Sequence, residues 1–187
     1  MAMRKEYRAM EMACTVEQFI ELYLDLNHVP MIHRGLNSWA DVRNAEFTFT
    51  EAGSVQIAPF RVCPKHDAYL GYVQAWWAAH GSDNPPFGAV WVLDYPNSMI
   101  EIYPGLIVIS KVTPTPNGCL NTLEFIQTDD DKVFEYAIDA YLESAYEDEI
   151  LVTNIALDAG AGRGTFHPLL PSGVQHYRSY RALNNSN

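Results

Sequence analysis

The segment from residue 46 to residue 127 constrains the fold most, because apolar side chains there recur in short stretches that turn residues separate. Glu51-Ala52-Gly53-Ser54 and Tyr103-Pro104-Gly105 are typical of turns. We expect strands at residues 46–50, 55–60, 69–76, 89–93, 99–103, 106–112 and 120–127. Strands joined by short turns predict an antiparallel meander.

Helical patterns flank this predicted sheet on both sides. Apolar residues recur three and four positions apart from residue 15 to residue 27 and again after Asp129. The later region is predicted as two helices, the second from residue 148 to residue 157, because an acidic cluster interrupts the pattern. Asp129 to Asp131 are expected to cap the first of them. Helices that cover one antiparallel sheet predict an α+β fold.

Composition narrows the class of protein. The 187 residues are 48% hydrophobic, which is enough for a core that needs no disulfide or structural metal. A net charge of −11 and the lack of any Lys or Arg run argue against nucleic-acid binding. Three cysteines favour a reducing compartment, and neither a signal peptide nor a membrane-spanning apolar run is visible. We therefore expect a cytoplasmic, soluble protein.

Asp25, His28 and His33 form an Asp-x2-His-x4-His arrangement within the first helical pattern. On an unbroken helix the two imidazoles would diverge by about 140°. Pro30 lies between them and lacks an N–H, so the helix must kink or restart there. The histidines can then converge on one metal ion. The alternative is two unrelated polar residues near a helix end.

Asp148 is the best candidate for a third ligand. Two histidines and one carboxylate are the ligand set of non-haem Fe(II) enzymes that activate dioxygen. If the second helix after Asp129 opens near residue 147, the helix dipole favours a carboxylate there. The alternative is a helix cap or a solvated acidic turn.

The order of these features resembles the catalytic domain of the alpha subunit of Rieske-type non-haem iron oxygenases, the ring-hydroxylating group. The resemblance extends from about Cys14 to about Leu183. Its landmarks are Glu21 through His33, the Tyr95-Pro96-Asn97 strand pair that ends at Pro114, Glu147-Asp148, and Gly173-Val174-Gln175-His176-Tyr177.

The resemblance implies a helix-grip fold, an antiparallel sheet covered by helices. It implies that His28, His33 and Asp148 ligate a mononuclear Fe(II). Asp25 would hydrogen-bond a ligand histidine and carry electrons from the Rieske cluster of a neighbouring subunit, and relatives of this type commonly form trimers. His176 is a reserve ligand.

A Rieske [2Fe–2S] cluster needs two cysteines and two histidines. The cysteines here are Cys14, Cys63 and Cys119, and the single Cys/His pair, Cys63 with His66, has no mate. We expect residues 1–187 to form one catalytic domain without a Rieske domain. The cluster would belong to a separate protein or to a further part of a longer chain, or it would be lost.

The expected function is O2-dependent hydroxylation, dihydroxylation or demethylation of an apolar or aromatic small molecule. This is a dioxygenase-type role in aromatic catabolism. The expected electron donor is a Rieske protein or a reductase. The aromatic residues that suit such a substrate also suit a core; they are Trp76, Trp77, Phe87, Trp91, Tyr95 and Phe125. The alternatives are a metal-free helix-grip module for hydrophobic ligands, an inactive fragment, and a hydrolytic zinc site.

Overall fold

The computed structural model describes residues 4–33, 40–61, 78, 87–128, 131–160 and 172–184. The strands in these ranges are β1 (Lys5–Met12), β2 (Glu46–Thr50), β3 (Gly53–Ala58), β4 (Ala89–Asp94), β5 (Ser98–Tyr103), β6 (Leu106–Thr115) and β7 (Gly118–Gln127). The helices are α1 (Val16–Leu24), α2 (Val29–Ile32), α3 (Asp131–Gly160) and α4 (Ser172–Asn184), with a short 3-10 helix at Val42–Asn44.

The strands form one antiparallel sheet in the order β1-β7-β6-β5-β4-β3-β2. From β2 to β7 each strand pairs with the next along the chain, which confirms the predicted meander. The strand β1 was not predicted, because only Met10 and Met12 of its side chains are buried and its apolar alternation is short. It lies beside β7, with Met12 opposite Cys119. The strand expected at residues 69–76 lies outside the described residues.

One face of the sheet is covered by helices. The long helix α3 packs on β1, β6 and β7, while α1 contacts both α3 and α4. Phe134, Ala137 and Ile138 of α3 belong to the buried core. A curved sheet around a long helix is the helix-grip arrangement, so the predicted α+β class is confirmed. Within the described ranges, no helix has the length and apolarity needed to cross a membrane.

The prediction of two helices separated by an acidic cluster is wrong, because α3 continues without a break from Asp131 to Gly160. Successive helical residues point about 100° apart, so neighbouring carboxylates face different directions. Only Asp148 is buried, and Glu147 and Glu149 are partly exposed. The cluster therefore fits within one helix. Asp131 is the first residue of α3, and the other two residues of the expected cap lie outside the described ranges.

Gly118 holds the turn between β6 and β7 against the end of β1. Its φ is 155°, and a Cβ added there would lie 2.0 Å from the Met12 carbonyl oxygen. We expect Gly118→Ala to lower the free energy of unfolding by roughly 2 kcal/mol, measured by urea denaturation. The exposed neighbour Asn117 is the control, because Asn117→Ala should cost less than about 0.5 kcal/mol. Equal losses in the two variants would contradict this packing.

Candidate metal centre

The chain leaves α1 earlier than predicted, and this early break positions both histidines. The Asp25 carboxylate accepts hydrogen bonds from the backbone N–H and the side-chain amide of Asn27, at 3.1 and 2.9 Å. This local turn ends α1 at Leu24 rather than at residue 27. Pro30 then lies in the first turn of α2, where its missing N–H costs no helical hydrogen bond. The expected restart between the histidines is confirmed.

His28 and His33 flank α2, and Asp148 reaches them from the middle of α3. The two Nε2 atoms lie 3.2 Å apart. The Asp148 Oδ1 atom lies 2.9 Å from His33 Nε2 and 3.4 Å from His28 Nε2. All three residues are buried, with exposed fractions of 9%, 2% and 6% for His28, His33 and Asp148. The structure thus brings together the three residues predicted as ligands.

The hydrogen bonds at the Nδ1 atoms of His28 and His33 determine whether their Nε2 atoms carry a proton or a lone pair. His28 Nδ1 contacts the Asp25 backbone carbonyl, and His33 Nδ1 lies 2.9 Å from a Glu147 carboxylate oxygen. Both partners are acceptors, so each Nδ1 carries the proton and donates it. A neutral imidazole has a single N–H, so both Nε2 atoms present lone pairs.

Three electron-pair donors therefore face one another in the interior. The Asp148 Oδ1 atom is buried, has no hydrogen-bond partner among the described residues, and lies within 3.4 Å of both Nε2 atoms. Two imidazoles and one carboxylate in this arrangement are a donor set for a divalent metal ion, Fe(II) among them. The residues present fit the metal that the sequence predicted.

The electrostatics favour positive charge at the same point. Burial lowers the pKa of His33, but the carboxylates of Asp148 and Glu147 more than offset this and raise it. Burial likewise raises the pKa of Asp148, and the two histidines more than offset that and lower it. The site is thus built to hold an ionised carboxylate close to a cation.

Two other sequence predictions concern Asp25 and His176. The hydrogen bond to His28 is made by the carbonyl of Asp25 and not by its carboxylate, which is buried and bonded to Asn27. His176 Nδ1 lies 3.2 Å from the Tyr95 hydroxyl, and its ring stacks on Phe49. The group of potential metal ligands found among the described residues does not include it.

Glu147 was missed by sequence reasoning. Its carboxylate orients His33 through the hydrogen bond to Nδ1, as acidic partners of metal-ligating histidines commonly do. The signal available was its place beside Asp148, but the acidic cluster was interpreted as a helix boundary. In the continuous helix, Glu147 faces the Nδ1 atom of His33 and Asp148 faces its Nε2 atom.

A cavity, part of it open to solvent, borders the three residues. Its aromatic and polar walls are Tyr23, Trp91, Glu101, Tyr103, Tyr141 and Ser144. Of the aromatic residues predicted for a pocket, Trp91 borders it, while Phe125 lies in the core and Tyr95 packs on Tyr177. Trp76 and Trp77 lie outside the described residues.

Glu101 is the other functional candidate that sequence reasoning missed. It is 3% exposed on β5, and its two carboxylate oxygens accept hydrogen bonds from the hydroxyls of Tyr103 at 2.7 Å and Tyr141 at 2.5 Å. Burial raises the pKa of Glu101 to about 7, although the tyrosine hydroxyls lower it. The sequence feature that could have identified Glu101 is its position in β5. It is a charged residue that alternates with the inward-facing Met99 and Tyr103.

Residues 14–158 match the family described as ring hydroxylating alpha subunit, catalytic domain. This match covers more than half of the chain. The protein therefore belongs to the family of Rieske-type ring-hydroxylating oxygenase catalytic domains, whose members hold a mononuclear iron and keep the Rieske cluster in a separate domain. The resemblance inferred from the sequence is confirmed.

Two curated relatives are named putrescine 2-hydroxylase. The protein from Bordetella bronchiseptica is 28% identical over 180 residues, and the match covers 87% of this chain and 41% of that protein. The protein from Ralstonia nicotianae is 30% identical over 181 residues, covering 87% of this chain and 49% of that protein. The chain thus spans less than half the length of these relatives.

A quaternary ammonium Rieske monooxygenase, solved with an inhibitor, has the same fold. It superposes with a TM-score of 0.74 at 13% identity, covering 97% of this chain and 49% of that one.

The pKa of Glu101 makes stability depend on pH. Its folded-state pKa of about 7 exceeds the ordinary value of 4.5, so the folded state binds this proton more tightly than the unfolded state. Stability is then lost as pH rises from 4.5 through 7. We compare the free energies of unfolding of metal-free Glu101→Gln and the metal-free parent at pH 5 and pH 8. From the lower to the higher pH, the parent should lose roughly 2 kcal/mol more than the variant.

Chemical denaturation at the two pH values measures this shift. Glu11→Gln is the matched control, since it makes the same substitution at an exposed strand position. The same pH dependence in the parent and in Glu101→Gln would contradict the assignment.

Proposed function

We propose that this chain is the catalytic part of a mononuclear non-haem iron oxygenase, in which His28, His33 and Asp148 hold Fe(II). The convergence of two imidazole lone pairs and one unpartnered carboxylate oxygen at 2.9–3.4 Å supports this most directly. Membership of the family supports the choice of iron. Zinc would suit the same donors, and metal analysis distinguishes the two.

The chain's own residues prepare this site. Glu147 and the Asp25 carbonyl hold the protons on Nδ1 and so keep both Nε2 atoms free to coordinate. The three residues are buried, and the adjoining cavity would receive a small molecule beside them. When bound, Fe(II) supplies the reductive activation of dioxygen for hydroxylation.

The electrons come from a Rieske cluster in trans. The chain lacks a complete set of paired cysteines and histidines, and its matches cover only 41% and 49% of the two curated relatives. We place the cluster in a partner protein or a further domain, and a reductase supplies its electrons. Asp25 lies on the electron path to the metal in this proposal. The assembly we propose is a trimer. The chain itself would act as one catalytic domain in the cytoplasm, where buried Cys14 and Cys119 stay reduced.

The reaction we favour is hydroxylation of one carbon of a small molecule. Two relatives carry the name putrescine 2-hydroxylase, and putrescine is not aromatic. The aromatic cavity walls also suit the apolar or aromatic substrate expected from the sequence, for which dihydroxylation or demethylation would be the alternative reactions. A metal-free ligand-binding module is the second candidate, since the same cavity could hold a ligand without iron.

Iron stoichiometry tests the proposal. After anaerobic Fe(II) loading and desalting, we expect about one iron per chain in the parent and less than about a tenth of that in His33→Ala, because a missing imidazole leaves two protein ligands. Elemental analysis gives the count and also detects zinc.

Glu143→Ala is the matched control, because Glu143 is an exposed carboxylate one turn before the ligand-bearing part of α3. It should bind iron like the parent. An iron-free parent, or equal iron in the parent and His33→Ala, would refute the oxygenase site and favour the ligand-binding module.

Glu147→Gln tests the orientation of His33. An amide can rotate to accept the same hydrogen bond but lacks the negative charge, so we expect iron affinity to fall by about 10-fold to 100-fold with one iron still bound at saturation. Competition with a chelator measures the affinity. Unchanged affinity would show that Glu147 is not a partner of the metal-binding ring.

A further inference from the structure

Glu101 is a buried carboxylate without a cationic partner. The ion pairs among the described residues do not include it. The described residues around the cavity include two carboxylates, Glu101 and Asp148, and neither lysine nor arginine. Asp148 has its histidines, whereas Glu101 has only tyrosine hydroxyls. Ionising a carboxylate in this environment costs free energy unless a cation reaches it.

The hydroxyls leave part of Glu101 available. Tyr103 and Tyr141 donate to one carboxylate oxygen each, and Trp91 Nε1 donates to the Tyr103 hydroxyl at 3.0 Å. A carboxylate offers about four lone-pair positions, so about two remain for a donor in the cavity. The network fixes the carboxylate in place, and Glu101 itself borders the cavity.

Electron-rich rings surround this carboxylate. Trp91 meets Tyr103 edge to face with ring centroids 6.4 Å apart, and Tyr103 meets Tyr141 in the same way at 6.2 Å. Tyr23 borders the cavity as a fourth ring. Aromatic walls beside an anion are the environment in which proteins bind alkylammonium groups, through cation–π attraction and an ion pair together.

We propose that Glu101, together with Trp91, Tyr103 and Tyr141, is a subsite for the ammonium group of a small aliphatic amine. The proposal rests on the proposed function, and it names the substrate class of the same site. Glu101 is a binding residue, and the metal triad borders the same cavity. An amine whose nitrogen lies at Glu101 would occupy the cavity that the metal centre also borders.

The charges are complementary in that arrangement. A divalent metal with neutral His28 and His33 and ionised Asp148 carries one net positive charge, which would repel a cationic substrate. The Glu101 carboxylate compensates for that repulsion. The tyrosine hydroxyls and the indole group around it also keep their hydrogen bonds when the ammonium enters.

Calorimetric titration of the full chain without added metal tests the subsite, because this binding does not require iron. The ligands are n-butylammonium chloride and 1-butanol, a cation and a neutral molecule of similar size. We expect the parent to bind n-butylammonium at least about tenfold more tightly than 1-butanol. In Glu101→Gln the affinity for n-butylammonium should fall by about tenfold or more, with 1-butanol affected less than about twofold.

The exposed-carboxylate variant Glu11→Gln removes the same charge from a protein of net charge −11 and should bind n-butylammonium like the parent. Equal affinities of the parent for the two ligands would overturn the proposal, whether or not Glu101→Gln folds. Equal losses for both ligands in a variant with native circular dichroism would also overturn it. If the parent prefers n-butylammonium to 1-butanol but does not bind iron, only the proposed oxygenase function is refuted. If it binds iron but does not prefer n-butylammonium, only the ammonium subsite is refuted.

Discussion

The structure depends on one electrostatic requirement, the placement of the Asp148 carboxylate within the hydrophobic interior. An ionised carboxylate in the middle of a buried helix face is stable only if positive charge or donors reach it. His28 and His33 approach it with their lone-pair nitrogens, because their other nitrogens donate to the Asp25 carbonyl and to Glu147. The protein thereby creates a position that a divalent cation stabilises, and the break between α1 and α2 brings both histidines to it.

The helix-grip architecture brings two kinds of chemistry to one cavity. The helix α3 contributes Asp148 and Tyr141, and α2 carries the histidines at its two ends. The sheet contributes Trp91, Glu101 and Tyr103 from the inner faces of β4 and β5. Because Tyr141 of α3 bonds Glu101 of β5, the helix that supplies a metal ligand also positions a carboxylate of the sheet. A change in the seating of α3 on the sheet would alter both groups together.

Much of the fold and most of the metal centre could be predicted from the sequence. Alternating strands and clear turns identified the meander, and Pro30 between two histidines explained how their rings converge. The prediction failed where local pattern and tertiary contacts disagree. The acidic cluster looked like a helix end, yet α3 continues through it, because neighbouring carboxylates face different directions and only Asp148 is buried. Glu101 could not be assigned, since its role depends on Tyr141, which is far away in sequence and close in space.

The most direct test of this account is a crystal structure of the Fe(II)-loaded chain, with anomalous diffraction recorded at the iron absorption edge. The account predicts one anomalous peak in contact with His28 Nε2, His33 Nε2 and a carboxylate oxygen of Asp148. The Glu147 carboxylate should remain bonded to His33 Nδ1. A peak at other residues, or an intact His28–His33–Asp148 cluster without iron in a crystal that contains it elsewhere, would contradict the central claim.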